Sequence, residues 1–224
     1  MIEYIFLVVY FILAVADLFA CLKDNKKLEH IVKPLLMPIL ALYFIFATFT
    51  LGTDWLIVVA LLFGCTGDIF LMLENEEKYF VFGMVGFLIG HIFYIIAFLL
   101  SIGGNLMSFP MWGLLLILPV VIILSLTFPK FKNNMGELKI PVYVYMVAII
   151  SMHFCAILRL AAFDLSCPCF LFVWIGSILF IFSDSMIAVD TFNDDIEISH
   201  FHIMLTYILG QFLIAQGIIM SILL

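Results

Sequence analysis

Long apolar runs alternate with short polar breaks along the whole chain. A helix that spans a bilayer needs about 20 mostly apolar residues, because in hydrocarbon every backbone N–H and C=O must be paired within the segment. The breaks are "LKDNKKLEH", "TLGTD", "ENEEK", "SIGGN", "PKFKNNMGELK", "AAFDLSCP" and "TFNDDIEIS". The pattern predicts eight spans, at roughly 3–21, 32–50, 55–73, 79–101, 107–128, 141–160, 169–190 and 200–222.

The composition supports a membrane protein. Of 224 residues, 67% are hydrophobic and 11% are charged, which is too apolar for a domain with a water-exposed surface. The connections are short, so we predict an all-α, polytopic integral membrane protein in which residues 1–224 form a single eight-helix transmembrane domain. The "AVA" at 14–16 imitates a signal-peptide cleavage site, but only Glu3 precedes the first span, so we expect a retained helix.

The distribution of basic residues predicts the orientation, since cytosolic loops carry the excess of Lys and Arg. Arg159 is alone on one side, whereas the odd-numbered connections carry Lys23, Lys26, Lys27, Lys33, Lys78, Lys130, Lys132 and Lys139. Both termini are therefore predicted outside the cytosol, in a bacterial inner membrane or in the endoplasmic reticulum. The net charge of −7 comes largely from short acidic loops, and no basic patch indicates a nucleic-acid partner.

Two apolar runs contain a carboxylate. Asp68 lies in "FGCTGDIFLML", and Ser183 and Asp184 lie in "ILFIFSDSMIAV". A charged side chain at membrane depth costs at least ~2.5–3.5 kcal/mol, so such residues usually face a wet cavity or the bundle interior. Both aspartates come late in helices predicted to run towards the cytosol, which places them in the cytosolic half of the membrane.

Other spans carry polar residues that lie on one helix face and at a depth similar to that of the two aspartates. His91 and Tyr94 are three residues apart in the fourth span, and "HFHIMLTYILGQ" carries a stripe of His200, Met204, Tyr207 and Gln211. We expect one cavity, open to the cytosolic leaflet, lined by Lys33, Asp68, His91, Asp184, Tyr207 and Gln211. Structural alternatives remain: Lys33 can snorkel to headgroups, His91 can be a packing histidine, and Tyr207 with Gln211 can join helices.

Two further features bear on the fold and on metals. "GHIFY" at 90–94 resembles "GQFLI" at 210–214, which suggests a parallel repeat that relates spans 3–4 to spans 7–8. The cysteines of "CPC" at 167–169 have neither the spacing nor the His partners of a zinc site, so we predict no metal.

Several of these features together resemble the YhhN family of bacterial membrane proteins and the animal transmembrane 86 proteins, which are lysoplasmalogenases. The resembling features are Lys33-Pro34, Gly67-Asp68, "GMVGFLIGHIFY", "GSILFIFSDSMIA" and "YILGQFLI", in family order from residue 33 to 214. The resemblance implies a hydrolase that cleaves the vinyl ether of a lysoplasmalogen, a lysophospholipid, into a fatty aldehyde and a glycerophospho-alcohol. It assigns no role to Arg159, Asp190, His200 or His202.

Vinyl-ether hydrolysis needs a proton donor and an anion beside the cation that forms, which parallels the two carboxylates of glycosidases. Our hypothesis divides these roles between Asp68 and Asp184, with His91 positioning water or one carboxylate. It assigns substrate binding to Lys33, which would pair with the phosphate, and to Tyr94, Ser183, Tyr207 and Gln211. The scheme needs no cofactor.

Three other functions remain open. The aspartates and His91 could form the relay of a proton- or cation-coupled transporter, although ionisable residues are few in the outer half of the membrane. The protein could bind lipid without catalysis, or it could hydrolyse another lipid. The sequence does not indicate an oligomeric state.

Overall fold

The computed structural model describes residues 2–73, 77–193 and 195–224. Within these ranges the chain is helical and contains no β-strand, which confirms the all-α class. The α-helices are α1 (Ile2–Leu22), α2 (Lys26–Thr48), α3 (Trp55–Leu71), α4 (Glu77–Ser101), α5 (Leu118–Phe131), α6 (Lys139–Leu158), α7 (Pro168–Phe192) and α8 (His200–Ile222). Short 3-10 helices cover Asn105–Ser108, Met111–Ile117, Gly136–Leu138 and Arg159–Ala161.

Seven segments of the described chain are long and apolar enough to cross a membrane. They contain every α-helix except α3, with α5 and α6 extended by their flanking 3-10 helices. The chain is therefore a multi-pass integral membrane protein. Helix α3 is apolar but has only 17 residues, at the short end of the range for a span. The count of eight spans stays a prediction.

Helix α2 begins six residues before the predicted span, which changes the position of Lys33. The Asn25 side chain accepts a hydrogen bond of 3.2 Å from the Leu28 N–H and so caps the new first turn. Lys33 consequently lies inside the helix instead of opening it. Pro34 and Pro38 are both within α2, and the Pro34 carbonyl, which lacks the N–H of residue 38, accepts from Cys65 Sγ over 3.3 Å.

Seven of the helices form a ring in which each helix contacts the next, in the order α1, α2, α3, α4, α6, α7 and α8. Helix α8 closes the ring by packing against α1, and it also contacts α2. Helix α5 packs outside this ring, against α7. The ring encloses the buried aromatic residues Phe44, Tyr94, Phe98, Phe180 and Tyr207.

Glycines let two helix pairs approach closely. A Cβ added to Gly86 of α4 would lie 2.9 Å from the backbone nitrogen of Gly67 in α3. A Cβ added to Gly176 of α7 would lie 2.7 Å from the carbonyl oxygen of Gly210 in α8. These close approaches pack α4 against α3, which carries Asp68, and α8 against α7, which carries Asp184.

The α3–α4 and α7–α8 pairs also cross at corresponding positions. A Cβ on Gly90 would lie 3.1 Å from the Ala60 carbonyl, and one on Gly210 would lie 3.0 Å from the Gly176 carbonyl. Ala60 precedes the aspartate of α3 by eight residues, and Gly176 precedes that of α7 by eight. These contacts are consistent with the suggested parallel repeat, which stays a prediction.

Candidate active site

A cavity of about 600 Å³ opens at the end of the bundle where α2, α4 and α8 begin and where α3 and α7 end. This is also the end that carries the lysine-rich connections, and Arg159 lies at the opposite end. The deep polar lining consists of Lys33, Asp68, Ser183, Asp184 and Tyr207. Nearer the mouth are Lys26, Glu29, His30, Glu77, Asp190 and His200.

Asp68 is almost completely buried, with 3% of its surface exposed, and its carboxyl is held by a hydrogen bond from α8. The Tyr207 hydroxyl donates to Asp68 Oδ2 over 2.8 Å, and both this hydroxyl and Nε2 of Gln211 lie beside Gly64. The Tyr94 hydroxyl donates to Gln211 Oε1 over 2.6 Å. Tyr94 and Gln211 therefore form a hydrogen-bonded pair behind Tyr207, and neither is part of the cavity lining.

Asp184 is held by a hydroxyl from another helix. The Tyr145 hydroxyl of α6 donates to Asp184 Oδ2. Asp68 lies near enough for its charge to act on Asp184, so the two carboxyls belong to one electrostatic site. The sequence reasoning missed Tyr145, although a hydroxyl inside an apolar span was a signal for it.

Lys33 is buried, with 6% of its surface exposed, so it does not snorkel to the headgroups. Its Nζ lies 3.6 Å from Glu29 Oε1, and the same oxygen lies 3.3 Å from Nε2 of His200. The positive charge of Lys33 also acts on Asp68. Lys33 thus stands between the mouth of the cavity and the deeper carboxyls.

His91 lies behind the cavity and is not part of its lining. Its ring centroid is 5.3 Å from that of Tyr145 and 5.0 Å from that of Phe180. It is 1% exposed, and neither ring nitrogen has a hydrogen-bond partner within the described part of the chain. A role for His91 beside Tyr145 fits this position better than direct contact with substrate.

Ser183 is in the lining, but its hydroxyl is already engaged. Its Oγ donates to the Ile203 carbonyl of α8 over 3.0 Å, which joins α7 to α8. Near the mouth, Asp190 Oδ1 accepts from the Ile198 N–H over 2.8 Å and so shapes the connection before α8. His202, by contrast, is exposed and its ring contacts Phe201.

Asp17 of α1 is a buried carboxyl that the sequence reasoning overlooked. It is completely buried, and neither carboxyl oxygen has a hydrogen-bond partner among the described residues. The charges of Lys33 and Glu29 act on it, which places it beside the cavity wall. Asp17 lies inside the apolar run "AVADLF", and a carboxylate inside an apolar run is the same sequence signal that identified Asp68.

Within the described residues, no group of three or more His, Cys, Asp or Glu side chains could hold a metal ion. What the site offers is acid–base chemistry. Two carboxyls, each fixed by a tyrosine hydroxyl, face a cavity that also contains an ammonium group.

Comparisons of the sequence identify relatives of this chain. The model of the YhhN family matches residues 28–218, which include every residue of the deep cavity lining. Human lysoplasmalogenase TMEM86A is 31% identical over 168 residues, which are 74% of this chain and 65% of the human protein. The chain thus spans somewhat less than two thirds of that relative's length. No solved structure gives a significant match. The extent of the family match shows that the chain belongs to the YhhN family.

Proposed function

We propose that this protein is a lysoplasmalogenase-type membrane hydrolase. It cleaves the vinyl ether of a lysoplasmalogen into a fatty aldehyde and a glycerophospho-alcohol such as glycerophosphoethanolamine or glycerophosphocholine. The family membership and the name of the human relative support this reaction. The structural observation that carries the proposal is the pair of carboxyls, Asp68 and Asp184, that face one cavity at membrane depth.

The different neighbours of the two aspartates support a division of roles. Asp68 has the Lys33 ammonium nearby to balance a negative charge, whereas Asp184 accepts a hydrogen bond from the neutral Tyr145 hydroxyl. In this scheme Asp184 carries a proton and Asp68 is the anion. Because Tyr145 engages Oδ2 of Asp184, the other oxygen of that carboxyl is the one that carries the proton.

The proposed reaction begins when Asp184 donates its proton to the β-carbon of the vinyl ether. The positive charge that forms on the α-carbon and the ether oxygen is stabilised by Asp68. A water molecule adds to the α-carbon and loses a proton to Asp68. The hemiacetal then collapses to an aldehyde and the glycerol hydroxyl, and the proton held by Asp68 returns to Asp184, so atoms and charge balance.

Lys33 is proposed to pair with the substrate phosphate, because an ammonium binds phosphate as a point charge and this one is in the cavity. Tyr207 is proposed to orient the ether or the glycerol hydroxyl. Tyr94 and Gln211 are proposed to support the site from behind Tyr207, and Ser183 from within the lining. His91 is proposed to position Tyr145.

The decisive experiment measures aldehyde release by detergent-purified protein from a vinyl-ether lysophospholipid and from its acyl and alkyl-ether analogues. We expect aldehyde from the vinyl ether alone. Asp184→Asn and Asp68→Asn should each lower kcat by about 10²-fold or more, the usual contribution of a general acid or base. Ser125→Ala on the exposed face of α5 serves as a control for expression and insertion.

Two outcomes would contradict the proposal. If monodisperse wild-type protein releases no aldehyde, the activity is wrong for this chain, and transport of protons or cations becomes the function to test. If both aspartate variants keep full activity, the reaction stands but the two-carboxyl mechanism is wrong.

A further inference from the structure

An apolar groove adjoins the polar cavity. It has an enclosed volume of about 60 Å³ and runs between α4, α5, α6 and α7. Five residues line both spaces, namely Leu71, Phe80, Phe87, Asp184 and Ile187. The polar cavity and the apolar groove are therefore neighbours that share these five side chains as a common wall.

The groove beyond this junction is walled almost entirely by hydrocarbon. Met84, Val142, Met146, Ile150 and Ala188 are among its lining residues, and Asp184 is its one ionisable carboxyl. Met146, Ile150 and Ala188 are only partly buried, so this side of the groove lies towards the lipid-facing surface of the bundle. Such a wall suits an aliphatic chain, and its only polar side chains among the described residues are Tyr145, Asp184 and Ser185.

The position of Asp184 fits the geometry of a single-chain ether lipid. In such a lipid the bond to be cleaved joins the polar glycerophosphate part to the aliphatic chain. Asp184 lies where the polar cavity meets the apolar groove, so a lipid with its polar end in the cavity and its chain in the groove presents this bond to Asp184.

We propose that the groove binds the first carbons of a single unbranched aliphatic chain, the alkenyl chain of the substrate. This inference rests on the proposed function and adds a chain-binding site to it. The groove volume of about 60 Å³ is about a tenth of the 600 Å³ of the polar cavity, so the groove is the narrower space and takes only the carbons next to the double bond. The rest of the chain leaves between the half-buried side chains of α6 and α7 into the bilayer.

The small volume of the groove predicts how the protein selects among substrate chains. The protein should tolerate different overall chain lengths, because most of the chain lies in the bilayer. It should discriminate against a methyl branch on the first carbons after the double bond, because the narrow groove has no room for it. Wild-type protein with a branched and an unbranched substrate of equal carbon number provides the direct comparison.

Ala188→Phe fills the groove and tests the site. We expect the KM for a long-chain vinyl-ether lysophospholipid to rise about tenfold, equivalent to losing the burial of about two methylenes. The ethenyl-ether analogue, which has the double bond and no further carbons, should be cleaved at the wild-type rate. The matched control is Ile175→Phe, which places the same side chain on the exposed surface of α7.

A second measurement does not depend on catalysis or on a variant. A non-cleavable alkyl-ether lysophospholipid with a diazirine at the third chain carbon is photolysed with wild-type protein, and the labelled peptides are mapped by mass spectrometry. We expect labels on α6 and α7 at Met146, Ile150 or Ala188, and we expect excess unlabelled lysophospholipid to abolish them.

The outcomes separate the two proposals. Labels confined to the outer lipid-facing surface, or an equal loss of long-chain and ethenyl-ether cleavage in Ala188→Phe, would overturn the groove assignment while aldehyde release still supported the hydrolase. Absence of aldehyde from every vinyl ether with wild-type protein would overturn the hydrolase, and groove labelling would then show a lipid-binding site without this reaction.

Discussion

Single hydroxyl groups orient the two carboxyls of the site. Tyr145→Phe removes the donor to Asp184 and keeps the ring that packs against His91. Asp184 becomes a carboxylate as it donates its proton, and a hydrogen bond to a charged group contributes about 1.5–3 kcal/mol. We therefore expect kcat to fall roughly 10- to 100-fold with KM little changed. The measurement is steady-state aldehyde release.

Tyr143→Phe is the matched control for this variant, since Tyr143 is an exposed residue on the same helix. Equal kcat values for Tyr145→Phe and the wild type would mean that the Tyr145 hydroxyl does not position Asp184 for catalysis.

Lys33 provides a second test at the level of one residue. If its ammonium binds the phosphate, Lys33→Gln should raise KM about tenfold or more, because a charge-assisted interaction is lost inside a low-dielectric cavity. Lys27→Gln, on the exposed first turn of the same helix, should have no such effect. A fall in kcat with unchanged KM would show instead that Lys33 acts only through Asp68.

At the scale of the helices, the packing of α7 against α8 depends on glycine. Gly176→Ala would place a Cβ 2.7 Å from the Gly210 carbonyl, and a backbone atom cannot move aside as a flexible side chain can. Overpacking of this kind typically costs about 1–3 kcal/mol. We expect a lower midpoint of thermal unfolding in detergent, whereas Ser125→Ala should leave it unchanged. An unshifted midpoint for Gly176→Ala would contradict this close packing of α7 and α8.

Arg159 joins helix ends at the side opposite the cavity. Its guanidinium donates to Ser101 Oγ at the end of α4, to Ser221 Oγ near the end of α8, and to the Cys169 carbonyl at the start of α7, over 2.7, 3.0 and 3.2 Å. A cation near helix C-termini is also favoured by the helix dipole. Arg159 is therefore a buried structural residue at the far end of the bundle from the cavity.

Arg159→Met should destabilise the protein by about 2–4 kcal/mol, because hydrogen bonds from a charged group are lost and their acceptors stay buried. The protein that remains folded should keep its kcat, since the cavity is at the other end. Thermal unfolding and aldehyde release together test this, with the exposed Lys132→Met as control. A stable but inactive Arg159→Met would refute the structural role.

For the whole molecule, orientation in the membrane is the prediction to test. The cavity shares one end with the lysine-rich connections, and the other end carries the Cys167–Cys169 disulfide, a bond typical of oxidising compartments. Both facts support a cavity that opens to the cytosol. In intact cells an impermeant maleimide should label Asn105→Cys but not Asn134→Cys, with the free cysteines Cys21, Cys65 and Cys155 replaced. The reverse labelling pattern would invert the topology.

Much of this architecture was predictable from the sequence because a bilayer imposes a strong one-dimensional constraint. Runs of about 20 apolar residues must be helices, and the polar residues inside them must be shielded from lipid. That reasoning found Asp68, Asp184, Lys33 and Tyr207, all of which the structure brings to one cavity. It overlooked Asp17, which carries the same signal.

The start of α2 and the extent of α3 were less predictable. A hydropathy pattern marks where lipid contact begins, whereas a capping side chain such as Asn25 marks where the helix begins. The short α3 likewise depends on how it packs between α2 and α4, which a sequence window does not reveal.

The sequence by itself determined the all-α membrane class. It also determined that the lysine-bearing connections lie at the end of the bundle opposite Arg159, and which apolar runs contain ionisable residues. Only the tertiary structure decided which hydroxyl meets which carboxyl, that Tyr94 and Gln211 stand behind Tyr207, and that Asp184 lies between a polar cavity and an apolar groove. The reason is physical. Depth in a bilayer follows from position along a helix, whereas contact between helices follows from rotation and crossing, which are set by the packing of all their faces together.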